Sequence, residues 1–573
     1  MALGFLIPLL FLALVIFGVR KLVSVSKERT GTSLSIRQVF QYLILFGVVI
    51  ISGVGVSGLL GRVLDFNRVI AEDRTALARN LTFTIVGLPL TYFLARWTSQ
   101  SFHRAPEERL SLAWRGYLTV SSITSLSLAL SGFHDLLSWA IGNDPYSGNA
   151  ISRAAIWTLV WVFYWRISKT MTDSEAGIPH LVIGSAIGLS IISVGIGGLI
   201  GNIIESLLDS GTSSAIAETT NPIVNSSINI LLGAPLWYQY WLRHLKNRQR
   251  GLLWYLYIFL AGITAGFITA VASTSVAIYD VLVWFFGDVG GKSATEHFIS
   301  IAQPIGSALI GFALWWYHRA VLGTKERSEV RRIYEYIISG VSLIAAALGL
   351  LMIFVAVIEG LTPSDLVKSA SQSNTLIVAI TLLLVGTPVW WFFWNRIEKR
   401  IREGGQSAEN EEITSPTRRI FILMLFGVAG IAAVVSVITS VFFLFDDLLN
   451  SQLALETLRK ARFALGILVT NGAIAGYHWS IYRHEKEFMV RRARAEKYVL
   501  LVGPGDGEIA RELQKKIGGR VQLWETPEPG LHVSDGEAWD MEQIMSLIND
   551  QRSNEIMILN EKRKLRAIPI HRP

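Results

Sequence analysis

RRIYEYIISGVSLIAAALGLLMIFVAVIEG, residues 331–360, is the stretch whose reading decides the fold. It opens on Arg331-Arg332-Ile333-Tyr334, carries no charge from Ile337 to Ile358, and closes on Glu359. At 1.5 Å rise per residue, a helix of about 20 apolar residues crosses the roughly 30 Å of hydrocarbon in a bilayer. This stretch therefore reads as one membrane crossing with a basic end and an acidic end.

Runs of the same kind recur on both sides of it. A unit made of an apolar run, a polar loop and a second apolar run appears six times in tandem. The copies cover Arg37 to Trp97, Arg109 to Lys169, His180 to Leu245, Leu252 to Leu322, Arg331 to Lys399 and Arg418 to Arg483. A further apolar run, Ala2 to Val19, lies within residues 1–22 and is followed directly by Arg20 and Lys21. A cleavable signal peptide has its positive charge first, so this run reads as a retained first helix with its N-terminus outside. The expectation is an all-α polytopic membrane bundle of thirteen transmembrane helices, followed by a small α/β cytosolic domain over residues 497–573.

Composition agrees with that reading. Of 573 residues, 51% are apolar and only 17% charged, against about 25% charged in an ordinary soluble domain. Eighteen Trp, 16 Tyr and 27 Phe suit a protein with two membrane interfaces. Cysteine is absent, which excludes disulfides, thiolate nucleophiles and Cys-based metal sites. The net charge of +8 is sorted by membrane side and is not gathered in a nucleic-acid groove. Of the 52 Lys and Arg residues, 32 lie at the junctions of units, counting the basic ends of the units themselves, or just after the last one, 10 in the loops inside units and 10 in the C-terminal tail. Cytoplasmic loops hold the excess of basic residues, so the junctions between units and the C-terminus are expected inside the cell.

A longer period underlies the six copies. The first, third and fifth carry Gly-x-Pro in their second helix, at Gly87 and Pro89, Gly233 and Pro235, and Gly386 and Pro388. The second, fourth and sixth end instead on Tyr164-Trp165-Arg166, Tyr317-His318-Arg319 and Tyr477-His478-Trp479. This alternation predicts three copies of a four-helix unit. The basic-aromatic opening at Arg331-Arg332-Ile333-Tyr334 and the ending Gly476-Tyr477-His478-Trp479 resemble a bacterial membrane family catalogued only as a domain of unknown function. The resemblance covers Arg37 to Arg483 and implies a bacterial cell membrane, with no activity or functional residues to carry over.

Every copy places an acid near the outer end of its first helix: Asp65, Asp135, Glu205, Asp280, Glu359 and Asp446. A carboxylate at a helix C-terminus meets the negative end of the macrodipole, which costs up to about 1 kcal/mol. Two readings stand. The acids mark where each span ends and pair with lipid or with loop cations such as Arg62 and Arg153. Alternatively they collect cations or relay protons, with His134 beside Asp135 as a titratable helper. His318 and His478 read as interfacial anchors at cytoplasmic helix ends, since metal ligation needs more donors at tight spacing. Gly184 with Gly188, and Gly197 with Gly201, form small-xxx-small faces for close helix packing.

The tail reads βαβαββ: strands at Tyr498 to Val502 and Arg520 to Trp524, helices at Glu508 to Ile517 and Trp539 to Ile548, and a closing hairpin around Asn560-Glu561. Gly503-Pro504-Gly505-Asp506-Gly507 sits where a phosphate-binding turn would, but Glu508, Asp506 and the missing lysine favour a plain strand-to-helix turn. No cofactor, metal or nucleic-acid partner is expected; the lipid bilayer and a protein partner of the C-terminal domain are. The leading functional expectation is a noncatalytic scaffold or sensor. The alternative is a transporter or channel for a cation or small solute, and an enzyme is not expected because no catalytic groups converge.

Overall fold

The computed structural model describes residues 36–65, 74–170, 178–208, 221–323, 329–362, 370–403 and 412–495, and in the tail 498–503, 507–517, 519–524, 539–551, 553, 555–561 and 564–570. The expected first helix, residues 1–22, lies outside the described residues, as do residues 504–506 of the glycine-rich turn. The chain divides into two compact units, residues 1–393 and 394–573.

Long helices dominate in the order the apolar runs dictate. They are α1 (Ile36–Leu64), α2 (Arg74–Arg104), α3 (Leu112–Ala140), α4 (Gly148–Thr170), α5 (Ile178–Leu208) and α6 (Pro222–Trp237, continued by Tyr238–Leu245). Then come α7 (Leu252–Phe286), α8 (Ala294–Leu322), α9 (Glu329–Leu361), α10 (Ala370–Glu403), α11 (Pro416–Leu449) and α12 (Arg462–Ala495). Eight of these, α1, α2, α5 and α7 to α11, are long and apolar enough to cross a membrane. Helix α3 is less apolar because of its serines, yet Ser121, Ser122 and Ser125 are buried. The Ser125 hydroxyl donates to its own helix at the Ser121 carbonyl, 2.7 Å away. A hydroxyl satisfied by its own backbone burdens the interior far less than a hydropathy average suggests.

Local chemistry sets the ends. Ser111 caps α3 by accepting the Trp114 N–H at 3.2 Å, and Asn221 caps α6 at the Ile223 N–H, with Pro222 in the first turn. Gly323 closes α8 at φ 64°, a left-handed conformation that glycine adopts without steric cost. Pro235 denies α6 a backbone donor, and three residues later the helix widens into a π turn over Tyr238–Leu245. A second π turn, Tyr257–Thr264, faces it in α7.

Glycine contacts hold the helices of the first unit together. A Cβ on Gly87 would meet Ser52 of α1, one on Gly233 would lie 2.4 Å from the Ile192 nitrogen of α5, and one on Gly386 would lie 2.5 Å from the Ala346 nitrogen of α9. The glycine of each Gly-x-Pro thus brings the second helix of a copy onto the first helix of the same copy. Gly184 and Gly188 receive Tyr240 and Trp237 of α6, while Gly197 and Gly201 receive Gly306 and Gln303 of α8. Both faces expected for packing are used, each for a different neighbour. The pair α1 and α4 repeats the pairing of α5 and α8, Gly148 meeting Gly61 in the one and Gly306 meeting Gly197 in the other.

In the second unit, α11 packs along α12. The tail forms a four-stranded sheet in the order β2-β1-β3-β4, from β1 (Tyr498–Val502), β2 (Arg520–Trp524), β3 (Glu555–Glu561) and β4 (Lys564–Pro569). β1 pairs parallel with β2 and β3, and β4 returns antiparallel to β3. Helices α13 (Glu508–Ile517) and α14 (Met541–Asp550) contribute Leu513, Ile544 and Ile548 to a core with Val499, Leu501, Ile556 and Ile558. The βαβαββ order is as expected, but Asn560 and Glu561 pair with Leu565 and Lys564 inside the hairpin and do not turn it.

Adding one methyl at Gly306 or Gly386, as Gly→Ala, should cost about 1–3 kcal/mol because the new atom meets backbone. The same change at Gly427 or Gly430, where an added Cβ meets nothing within 4 Å, should be neutral or slightly stabilising. Thermal unfolding of the detergent-solubilised protein distinguishes the two pairs.

Candidate functional site

The acids singled out in the sequence are held by local partners. Asp135, near the end of α3, accepts a hydrogen bond from the Arg153 guanidinium of α4, and His134 Nδ1 stands 3.7 Å from its other oxygen. Asp280, in α7, accepts from the Ser300 hydroxyl at 3.1 Å, while His297 Nε2 donates to the Asp280 carbonyl at 2.8 Å. In the third four-helix copy, which comprises the fifth and sixth two-helix copies, the structure departs from expectation. Asp446 is exposed, and the next residue, Asp447, turns inward at 2% exposure. Asp447 accepts from Thr457 Oγ1 at 2.6 Å and from Lys460 Nζ at 2.7 Å. The hydrogen bond it donates to the Asp447 carboxylate holds the Lys460 ammonium above its ordinary pKa. Each copy therefore fastens the acidic end of its third helix to residues that introduce or begin the fourth.

First-helix acids sit differently. Asp65 and Glu205 are half-buried and Glu359 is buried. Of the expected site residues, His134 and Asp135 are in contact with one another. Among the described residues no cluster of three or more His, Cys, Asp or Glu side chains could hold a metal ion. Close to Glu205 lies a polar relay that sequence reading missed. Gln303 of α8 donates to Asn202 at 2.6 Å, and Asn202 donates to Ser226 of α6 at 3.0 Å. Two amides and a hydroxyl in three separate helices leave no local spacing to detect.

The basic ends of the helices carry aromatic boxes. Trp241 of α6 donates from its indole to Tyr317 of α8 at 2.9 Å, and Trp394 of α10 donates to Tyr477 of α12, also at 2.9 Å. Both tryptophans stand eight residues beyond the glycine of their Gly-x-Pro. His318 and His478 follow those tyrosines, but they are not headgroup anchors. His318 has no exposed surface and His478 only 2%. Each donates from Nδ1 to a carbonyl one turn back, Leu314 and Ile474, at 2.8 Å. A ring that spends its proton inside its own helix is free to pack among Trp241, Tyr257 and Tyr317, or against Trp394, Phe421 and Tyr477.

In the first copy the buried position belongs to Tyr164, whose hydroxyl meets that of Tyr117 at 2.6 Å. Tyr164 thus takes the place of His318 and His478, and exposed Phe163 that of Tyr317 and Tyr477, one residue off the alignment suggested by the shared tyrosines. Another buried group closes the box of the third copy. Arg418, 2% exposed, reaches Glu485 at 2.7 Å and Glu398 at 3.0 Å beneath the Trp394 ring.

These features define a helical protein of long apolar hairpins, built from repeated four-helix units with a small sheet domain after them. Residues 38–163, 180–317 and 332–473 each match DUF5671, a domain of unknown function, and the chain belongs to that family. The three matches fall on the four-helix period carried by the alternating Gly-x-Pro. No curated protein and no solved structure matches the chain.

Removing the inward carboxylate, as Asp447→Ala, should lower the unfolding temperature because Lys460 and Thr457 lose their common acceptor. Asp446→Ala should leave it unchanged. Arg418→Ala, which strands two glutamates near a buried position, should cost about 3–5 kcal/mol by the same measurement.

Proposed function

We propose that this chain is a noncatalytic membrane scaffold or sensor that holds its C-terminal sheet domain at the cytoplasmic face of a bacterial cell membrane for a protein partner. Thirteen crossings, with the N-terminus outside, bring the basic helix ends and the tail to the same side, in keeping with the excess of Lys and Arg between units. One observation carries the reading: a carboxylate at the acidic end of each third helix, Asp447 standing in for the expected Asp446, is spent on fastening its own hairpin. Asp135 is occupied by Arg153, Asp280 by Ser300, and Asp447 by Thr457 and Lys460. A conducting or relaying acid must exchange partners with its cargo, and acids engaged in this way serve packing. Trp524, at the end of edge strand β2 and 59% exposed, is a candidate contact for the partner.

Transport of a cation or small solute is the second reading, favoured by the buried Asn202 relay and by Glu359 within apolar helices. The absence of cysteine makes the two separable, since single cysteines report without background. Cysteines replacing Asn202 and Glu359 should resist a membrane-impermeant maleimide from both sides, while one replacing Arg250 should react from the inside only. Reaction at position 202 or 359 that alternates with an added solute would defeat the scaffold reading. Reporter fusions should place the two termini in different compartments; both termini on one side would defeat the thirteen-crossing topology.

A further inference from the structure

Comparing the three copies position by position exposes a groove in the first one. Eight residues beyond the glycine of Gly-x-Pro stand Ala95, Trp241 and Trp394, and at the matching place on the fourth helix stand Phe163, Tyr317 and Tyr477. In the second and third copies an indole fills the space between these two helices and is latched by a hydrogen bond to the tyrosine. In the first copy Ala95 has no indole and Phe163 has no hydroxyl. What remains is a cavity of about 420 Å³ between α2 and α4, floored by Leu45 and Val49 of α1. That volume is in the range of ordinary ligand sites.

The walls specify an occupant. Ala95 and Phe163, both exposed, line the cavity. At its basic end stands Arg109, exposed, with its guanidinium 5.5 Å over the ring of buried Phe102. The neighbouring acid Glu108 is neutralised by Arg37 at 3.3 Å. An apolar slot with a cation at the headgroup level fits a molecule with a hydrocarbon tail and an anionic head. We propose that the first copy binds an anionic phospholipid of the cytoplasmic leaflet, with one acyl chain between α2 and α4 and the phosphate at Arg109. The inference rests on the membrane reading above, and goes beyond it in assigning a lipid site to one copy of three.

The test uses the full chain in phosphatidylcholine nanodiscs doped with phosphatidylglycerol that carries a photoreactive group on its acyl chain, with labelled peptides mapped by mass spectrometry. Peptides spanning residues 91–102 and 163–170 should be labelled more strongly than the matching peptides of the second copy, residues 237–248 and 317–322. The filling variant Ala95→Trp with Phe163→Tyr should reduce groove labelling several-fold, leaving label on exposed apolar positions such as Ile431 and Val434 unchanged. Ala95→Leu serves the same purpose should the double variant fail to fold. Arg109→Gln should erase the preference for the phosphatidylglycerol probe over a phosphatidylcholine probe. Groove labelling that survives filling, or that merely equals the second copy, overturns the lipid site alone. An absence of label from every apolar helix overturns the membrane reading along with it.

Discussion

Backbone-to-backbone approach between the first and second helices of each copy is the contact on which the rest depends. Inside a bilayer an apolar side chain gains nothing by leaving lipid for protein, so helices associate through close van der Waals contact and the few hydrogen bonds they can share. Gly87, Gly233 and Gly386 supply that contact against Ser52, Ile192 and Ala346, where even a methyl group would strike the facing helix. The proline two residues later sits in a helix already held by its neighbour, so the local loss of a donor is tolerated. In α6 the same loss is followed by a π turn, which opposes the π turn of α7 and draws Tyr240, Trp241, Tyr257 and Ile263 into full or nearly full burial.

With the hairpins held at mid-height, their two ends answer to different chemistry. At the acidic ends, carboxylates are neutralised across short connections, and the partner changes from arginine to serine to threonine and lysine while the link itself recurs. At the basic ends the conserved element is a filled box whose contents vary. Tyrosine pairs with tyrosine in the first copy, and histidine turns its proton to its own backbone in the other two. Three copies under one packing constraint can thus diverge wherever volume and hydrogen bonding are balanced locally. At Ala95 the volume of an indole is not replaced, and the first copy keeps a cavity there.

The sequence by itself determined the helices, their pairing into hairpins, the longer period of three and the order of strands in the tail, because each is written in local runs, in charge at the ends of runs, or in glycine spacing. It also named Arg153 among the loop cations open to the acids, and the structure gives that arginine to Asp135. Only tertiary structure decided which of Asp446 and Asp447 faces inward, because helical phase and the position of Lys460 separate two chemically identical neighbours. It alone placed His318 and His478 in the interior, where their aromatic neighbours had suggested an interface. It likewise joined Asn202, Gln303 and Ser226, and showed the cavity that Ala95 lines. Those outcomes depend on distances between residues far apart in the chain, and periodicity along one helix holds no record of what the facing helix brings to meet it.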